Sequence, residues 1–266
     1  MKIGIVGCAG RMGQMLVQEV TATQGCELAG GTEGPGNPAL GRDVAAHAGL
    51  DACGMEICED AEALFAASDV VVDFTLPAAT ANHLALAQKN GTSLVLGTTG
   101  HDENGLAAIE TAAKDITIVK AMNFSIGVNV QFAITQQLAG ILDDDYDIEI
   151  IEMHHKHKVD SPSGTAIGLG EAAAAGRGVS LDDVSARGRD GITGARKKGD
   201  IGFASLRGGE VVGEHTVIFA GENERVEFTH RASSRGIFSK GAIRAARWTD
   251  GKDAGLYDML DVLGFK

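Results

Sequence analysis

Proline, cysteine and long apolar runs are scarce in this sequence. Four prolines and no G-X-Y repeat among 266 residues exclude collagen-like and proline-rich fibrous proteins. No uninterrupted stretch reaches the ~18 apolar residues of a membrane-spanning helix, so we expect no membrane partner. The four cysteines include no C-x-x-C pair, and a chain of this length buries a core without disulfides. We therefore expect reduced thiols and a cytoplasmic protein.

Basic residues are also few. The 23 lysines and arginines against 36 aspartates and glutamates give a formal net charge of −13. Such a chain repels nucleic-acid phosphates unless it concentrates a basic patch, so we expect no nucleic-acid partner. The run Arg196–Lys198 lies in a glycine-rich segment, residues 187–198, that we expect to be a mobile loop. The loop is either solvated or faces a dianionic substrate.

The first 123 residues alternate β-rich runs with stretches of helical periodicity. This alternation is typical of crossovers between parallel strands and predicts an α/β fold with a Rossmann-type, doubly wound parallel sheet. We assign residues 1–123 to a dinucleotide-binding domain. Residues 236–266, with predicted helices over 241–247 and 256–263, are expected to pack back on it. The predicted strands are residues 2–7, 26–32, 70–75, 93–97 and 116–121.

The pattern changes after residue 123. A long helix is predicted over residues 124–142, followed by β-rich segments without regular helices between them. The Gly208-Gly209 pair predicts a hairpin turn between two of these segments. Residues 124–235 are therefore predicted to form a second, α+β domain with a mixed or antiparallel sheet. Its predicted strands are residues 146–155, 200–207, 210–220 and 225–230.

A glycine fingerprint follows the first predicted strand and opens a predicted helix. Residues 7–13 read G-C-A-G-R-M-G, in the strand-turn-helix context that dinucleotide binding requires. Gly7 is expected to permit the tight turn, Gly10 to let the backbone approach a pyrophosphate, and Gly13 to allow close helix packing. Ala9 stands where the middle glycine of G-x-G-x-x-G often lies. A glycine-rich turn without a ligand is the alternative.

An acidic residue about 20 positions after the last glycine is expected to bind the ribose diol, and Glu33 meets that spacing. Gly34 beside it offers no cation for a 2′-phosphate, which favours NADH over NADPH, although Arg11 leaves the use of both open. Residues 97–100, G-T-T-G, follow the fourth predicted strand at the carboxyl edge of the sheet, where open α/β folds bind ligands. A plain turn is the alternative there.

Side chains that can transfer protons or bind anions are most concentrated in residues 152–166, E-M-H-H-K-H-K-V-D-S-P-S-G-T-A. Histidine transfers protons near neutral pH and a neighbouring lysine can donate one, which predicts acid catalysis. Ser163, Gly164 and Thr165 lie at the start of a predicted helix, where hydroxyls and N–H groups suit a carboxylate. Zinc binding by the three histidines and a charged edge strand without chemistry are the alternatives.

These residues resemble a specific family. Residues 7–13, 72–75 with 97–100, 123–129 and 152–166 are similar to motifs of the 4-hydroxy-tetrahydrodipicolinate reductases, also called dihydrodipicolinate reductases, of bacterial lysine and diaminopimelate synthesis. The similarity runs essentially end to end, and E-x-H-H-x-x-K-x-D-x-P-S-G-T-A is its most specific part. The resemblance implies an NAD(P)H-dependent oxidoreductase. It would reduce a small cyclic dicarboxylate, 4-hydroxy-tetrahydrodipicolinate, to tetrahydrodipicolinate.

The resemblance also assigns roles to single residues. It implies that His154 donates or accepts a proton and that Lys158 is a further proton donor, without a metal. It puts His155, Gly164 and Thr165 at the substrate carboxylates. The implied nucleotide contacts are Gly7, Cys8, Ala9, Gly10, Arg11, Met12, Glu33, Gly97, Thr98, Thr99, Ala121, Met122, Asn123 and Phe124. A homotetramer formed through the sheets of the substrate-binding domain, and closure of one domain over the other, are further implications.

Two other interpretations stay open at this point. Another two-domain NAD-dependent dehydrogenase, acting on aspartate or homoserine, would share the glycine fingerprint but would not need residues 154–165 in this arrangement. A cofactor sensor without catalysis would bind NADH without turnover, and replacement of His154 would leave its sensing intact.

Overall fold

The chain divides into two compact units, Met1–Ile126 with Gly236–Lys266 and Gly127–Arg235. The structure, a computed structural model, describes residues 1–266. The strands are β1 Lys2–Val6, β2 Glu27–Thr32, β3 Val70–Asp73, β4 Ser93–Leu96, β5 Thr117–Lys120, β6 Asp147–His154, β7 Ser185–Ala186, β8 Ile201–Arg207, β9 Gly213–Ala220, β10 Arg225–Ala232 and β11 Gly255–Tyr257. The α-helices are α1 Arg11–Ala22, α2 Val44–His47, α3 Ala61–Ala67, α4 Pro77–Asn90, α5 Glu103–Ala112, α6 Ile126–Leu142, α7 Gly164–Arg177, α8 Leu181–Val184, α9 Gly236–Trp248 and α10 Met259–Leu263.

The first unit is built around a parallel six-stranded sheet in the order β11-β5-β4-β3-β1-β2. The predicted doubly wound parallel sheet is confirmed. Its central strands are continuous apolar runs, such as Val70–Val72, because helices cover both faces. Apolar side chains of one face pack with α1 and α9, and those of the other face pack with α3, α4 and α5.

The C-terminal residues include a strand where the sequence predicted only a helix. β11 pairs in parallel with β5 at the edge of the sheet. The helix α10 begins afterwards, where the Asp258 side chain accepts hydrogen bonds from the N–H groups of Leu260 and Asp261. The prediction of a helix over residues 256–263 is therefore wrong for residues 256–258, because a strand of three residues is too short to show a strand period.

The second unit holds a mixed five-stranded sheet in the order β10-β9-β6-β8-β7. β6 pairs in parallel with β8 and antiparallel with β9. The hairpin predicted at Gly208-Gly209 is therefore wrong, because β8 and β9 flank β6 and do not pair with each other. β6 is central because it has a paired strand on each side, and one of its faces, with Ile148, Ile150, Glu152 and His154, is buried.

The helix predicted to start at residues 163–165 is present as α7, although the β-rich segments were otherwise expected to have no regular helix between them. α7 extends over 14 residues, and its C-cap Gly178 has a φ of +68°. Its glycines and alanines weaken the helical signal in the sequence. Packing requires them, since a Cβ atom at Gly176 would overlap the carbonyl oxygen of Gln136 in α6. None of the helices has both the length and the apolar character that crossing a bilayer requires.

Residues 187–198 have no helix or strand, but two arginines attach them to β6. Arg196 donates hydrogen bonds to Asp147 Oδ1 at 2.6 Å and to Glu149 Oε1 at 2.9 Å. Arg189 donates to both oxygens of Glu149, at 2.8 and 2.9 Å. The expectation that this basic run is simply solvated or faces a substrate is therefore wrong for Arg196, which is half-buried in these contacts.

Candidate functional site

At two positions of the fingerprint, neighbouring atoms of the protein leave room only for glycine. Gly7 leaves β1 with a φ of +69°, and a Cβ atom there would lie 2.7 Å from Cγ2 of Thr75. A Cβ atom at Gly13 would overlap the carbonyl oxygen of Gly7 and the backbone of Cys8. Gly10 differs, since its added Cβ would meet only the Gly7 carbonyl oxygen, at 3.3 Å. Gly10 therefore keeps an open side from which a ligand can approach the backbone.

The N-terminus of α1 is suited to bind an anion. Gly10 is the N-cap, no side chain caps the helix, and its first turn contains no acidic residue. A cavity of 530 Å³ lies beside this turn, bordered by Gly7, Gly10, Glu33 and Thr75 among others. Unpaired N–H groups and the helix dipole favour a phosphate at such a point. The turn therefore fits the pyrophosphate of a dinucleotide.

Glu33 lies directly after β2, at the position that contacts ribose in nucleotide-binding sheets. Its Oε1 accepts a hydrogen bond from the N–H of Ala9 at 2.8 Å, and its Oε2 accepts one from Asn37 Nδ2 at 3.0 Å. The carboxylate is thus held against the glycine turn and borders the cavity. A Cβ atom at Gly34 would have no atom within 4 Å, so this position has room for a larger side chain.

Three predicted contacts in the turn differ in what their side chains offer. Cys8 is buried, and burial raises the pKa of its thiol to about 12, so the thiol stays protonated and unreactive. Its sulfur lies beneath Gly31, whose added Cβ would be 2.7 Å from it. Arg11 is exposed and Met12 is half-buried at the first two positions of α1. Cys8 therefore offers a ligand only its backbone.

A buried carboxylate, Asp73, organises the carboxyl edge of the sheet, and the sequence analysis did not assign it a role. Its Oδ1 accepts hydrogen bonds from Thr75 N at 2.8 Å, Thr75 Oγ1 at 2.6 Å and Thr98 Oγ1 at 3.1 Å. Its Oδ2 lies 2.7 Å from Nδ1 of His83. Burial opposes ionisation, but the bonds from His83 and Thr75 hold the pKa of Asp73 below its ordinary value. The signal for it was a single acid that ends the run V-V-V-D.

The loop after β4 is shaped by these contacts. The Thr98 side chain is buried and directed to Asp73, and a Cβ atom at Gly97 would overlap the ring of Phe74. The loop residues Gly97 and Thr98 therefore present mainly backbone to a ligand, while Thr99 continues the loop at the carboxyl edge.

The segment after β5 lies at the same edge of the sheet. Ala121 N donates to the carbonyl oxygen of Leu96, and Asn123 Oδ1 accepts from Ser125 N at 2.8 Å. Phe124 is buried, whereas the Met122 side chain is 70% exposed. All fourteen predicted nucleotide contacts thus follow the carboxyl ends of β1, β2, β4 and β5, which meet at one edge because the strands are parallel.

In the second unit, a carboxylate and two histidines form a buried network. Glu152 and His154 share a face of β6, and Glu152 Oε2 lies 2.6 Å from Nδ1 of His154. The ring of His215 packs edge-on against His154, with centroids 5.1 Å apart. Burial lowers the pKa of His154, although Glu152 opposes this, and burial together with His154 lowers the pKa of His215 to about 3. Both imidazoles are therefore neutral near pH 7.

Ser163 is engaged inside the protein. Its Oγ accepts a hydrogen bond from Ala166 N at 3.2 Å as the N-cap of α7 and lies 3.1 Å from Nε2 of His215. Its N–H donates to Glu152 Oε1 at 3.3 Å. These bonds position the start of α7, where Gly164 and Thr165 occupy the first two helical positions. The first turn of α7 contains no acidic residue, so it favours an anion.

Lys158 lies in the turn that follows β6. Its Nζ lies 2.8 Å from Oδ1 of Asp160, and its charge also disfavours the protonated form of His154. His155 Nδ1 is buried without a hydrogen-bond partner. No group of three or more His, Cys, Asp or Glu side chains in the structure is arranged to hold a metal ion. The unit thus places Lys158 where its charge acts on His154.

Comparisons with known proteins identify the family. Residues 1–124 match the profile described as "Dihydrodipicolinate reductase, N-terminus", and residues 127–263 match "Dihydrodipicolinate reductase, C-terminus". The chain belongs to the dihydrodipicolinate reductase family.

Relatives in the dihydrodipicolinate reductase family match along the whole chain. A protein of Parvibaculum lavamentivorans named 4-hydroxy-tetrahydrodipicolinate reductase is 55% identical over 266 residues, which is 100% of this chain and 98% of the relative. One of the same name from Ruegeria sp. strain TM1040 is 53% identical over 262 residues, 98% of this chain and 97% of the relative. The solved dihydrodipicolinate reductase of Paenisporosarcina sp. TG-14, described as dipicolinate-bound, is 25% identical, with a TM-score of 0.76 and 98% of each chain covered.

Proposed function

We propose that this chain reduces 4-hydroxy-tetrahydrodipicolinate to tetrahydrodipicolinate with NAD(P)H, in diaminopimelate and lysine biosynthesis. Full-length relatives that are 53–55% identical carry the name of this reductase. The observation that carries the proposal in the structure is the pairing of His154 with Glu152 beside the N-terminus of α7. This arrangement combines a group for proton transfer with a site for a carboxylate.

The cofactor is a nicotinamide dinucleotide, for which the glycine turn provides a fitting cradle. When bound, it supplies the hydride for the reduction. Residues 7–12 would hold the pyrophosphate on the backbone at the start of α1, and Glu33 would bind the ribose diol. Gly97–Thr99 and Ala121–Phe124 would contact the nicotinamide half. We propose that NADH is preferred, because Glu33 would repel a 2′-phosphate and Gly34 supplies no cation beside it.

In the second unit, the proposed roles divide between binding and proton transfer. The substrate is a small dicarboxylate. The N-terminus of α7, at Gly164 and Thr165, and the imidazole of His155 would hold its carboxylates. Ser163 would act by positioning that helix start, since its own hydroxyl caps the helix.

Proton transfer would involve His154 and Lys158. Addition of hydride leaves negative charge on the substrate, which a proton must neutralise. The Lys158 ammonium has protons to donate. In neutral His154, Nδ1 bonds to Glu152, so Nε2 is the nitrogen that would accept a proton. Once the ring is charged, Nε2 would donate that proton to the substrate.

We also propose that the second unit assembles into a homotetramer through its sheet. The edge strand β10 has exposed residues at Arg225–Glu227, and Leu206 on β8 is 50% exposed. Association of subunits would cover both the unpaired edge of the sheet and the exposed apolar side chain. Light scattering after size-exclusion chromatography would measure the mass directly, and a stable monomer at micromolar concentration would contradict the proposal.

The reductase is tested by following NADH and NADPH oxidation with substrate generated in situ from pyruvate and aspartate semialdehyde by a synthase. We expect oxidation that requires both precursors. His154→Gln should lower kcat by ~100-fold or more, whereas His157→Gln, at an exposed histidine in the same segment, should not. NADH binding without oxidation would contradict the proposal and indicate a cofactor sensor.

A further inference from the structure

We infer that Glu152 is a positioning residue for the reaction and that Arg207 is the partner through which it acts. The two residues determine which ring nitrogen of His154 is left for the substrate. This inference rests on the proposed function, in which His154 transfers a proton.

The Glu152 carboxylate is enclosed by donors on every side. Its side chain is 1% exposed. Oε2 accepts from Arg207 Nη1 at 2.8 Å and lies 2.6 Å from His154 Nδ1. Oε1 accepts from Arg207 Nη2 at 2.9 Å and from Ser163 N at 3.3 Å. A buried carboxylate needs such partners to remain charged, and the two-point contact with a guanidinium is the strongest of them.

The charge on Glu152 decides the tautomer of His154. Burial opposes ionisation, yet the bonds from Arg207 and His154 hold the pKa of Glu152 below its ordinary value. An ionised carboxylate can only accept hydrogen bonds, so Nδ1 of His154 must carry a proton. In the neutral ring Nε2 is then the free acceptor. A Cβ atom at Gly213 would lie 3.0 Å from Nε2, so glycine leaves room at that nitrogen.

Arg207 connects both proposed proton-transfer groups. Besides Glu152, its Nη2 donates to the carbonyl oxygen of Asp160 at 2.7 Å. The side chain of Asp160 in turn lies 2.8 Å from Nζ of Lys158. One guanidinium therefore holds the partner of His154 and the residue that orients Lys158. The charged groups that act on His154 are Glu152 on its own strand, Arg207 on β8 and Lys158 in the turn after β6. The titratable ring of His215 on β9 packs against it.

The test compares Glu152→Gln with Glu149→Gln. Both glutamates lie on β6 and pair with arginine, but Glu149 bonds to Arg189 and Arg196 and not to a histidine. For Glu152→Gln we expect kcat and kcat/KM to fall together by ~100-fold, because the group that fixes the proton-transfer nitrogen is lost. Glu149→Gln should keep wild-type kcat. Equal kcat for Glu152→Gln and wild type would overturn the inference.

A spectroscopic measurement separates this inference from the proposed function. Nitrogen-15 NMR of the ring nitrogens in the free protein should show wild-type His154 with a protonated Nδ1 and a bare Nε2. In Glu152→Gln, this preference should be lost, since a glutamine amide can also donate to Nδ1. The measurement needs no turnover, so absence of reductase activity would contradict the proposed function while leaving the tautomer assignment of His154 standing. A protonated Nε2 in the neutral wild-type ring would overturn the inference, even if Glu152→Gln failed to fold.

Discussion

The carboxylate of Asp73 lies 2.7 Å from Nδ1 of His83, and Asp73 is wholly buried. The pair joins the end of β3 to α4, and the bonds of Asp73 extend it to Thr75, which borders the cavity beside the glycine turn, and to Thr98 in the loop after β4. One carboxylate therefore fixes three segments at the edge of the sheet where the cofactor is proposed to bind. A buried carboxylate stabilises such an arrangement, because its removal would leave its buried partners without a hydrogen bond.

Replacement of Asp73 should loosen this edge. For Asp73→Asn we expect a loss of about 2 kcal/mol or more in the free energy of unfolding, because an amide cannot accept all of these bonds. We also expect weaker NADH binding. Urea denaturation and NADH titration measure the two effects. The control is Asp69→Asn, at the exposed residue just before the same strand, which should change neither by much. An Asp73→Asn protein with unchanged stability would show that the pair contributes little.

Gly241 should be intolerant of a methyl group. A Cβ atom there would overlap the carbonyl oxygen of Phe124, in the segment proposed to contact the nicotinamide. For Gly241→Ala we expect a loss of about 1–3 kcal/mol of stability from overpacking, together with a raised KM for NADH. Thermal unfolding and steady-state kinetics test this. Gly188→Ala, where an added Cβ has no atom within 4 Å, is the matched control and should behave as wild type.

The preference for NADH should change with one residue. Gly34→Arg would place a guanidinium beside Glu33, in a position with open space. We expect kcat/KM for NADPH to rise about 10-fold, the effect of one charge-assisted hydrogen bond to phosphate. NADH should be little affected. Gly34→Gln, with a long uncharged side chain, should not raise NADPH use. Better use of NADPH than of NADH by the wild type would contradict the proposed preference.

Stability should fall as the pH is lowered below 6.5, in part because of His215. Its pKa is about 3 in the folded protein and 6.5 for the free side chain. Between these values the unfolded chain binds a proton that the folded chain does not, so acid favours unfolding. One such group changes the free energy of unfolding by up to about 1.4 kcal/mol per pH unit. Urea denaturation at pH 5 and 7.5 should show a smaller difference for His215→Gln than for wild type. His157→Gln, at an exposed histidine, should retain the wild-type difference.

The parallel sheet was predictable because its signals are local. Apolar runs such as Val70–Val72 indicate strands buried on both faces, and Gly7 and Gly13 mark the first turn. The order of strands in the second unit was not predictable in this way. The Gly208-Gly209 pair predicts a change of chain direction, but β8 pairs with β6 and β7 instead of with β9. β6 lies far away in the sequence. Strand pairing depends on which apolar faces meet in three dimensions, and that information is not local.

The same division applies to the candidate site. The sequence by itself determined the family, the parallel fold of the first unit and the segments that we propose to carry the chemistry, because spacing and residue type are local properties. Only the tertiary structure decided how those side chains are used. Ser163 caps a helix, Asp73 holds a loop edge, and Arg207 lies against Glu152 from a strand 55 residues away. Such roles follow from burial and hydrogen-bond geometry, which arise only when distant segments pack together.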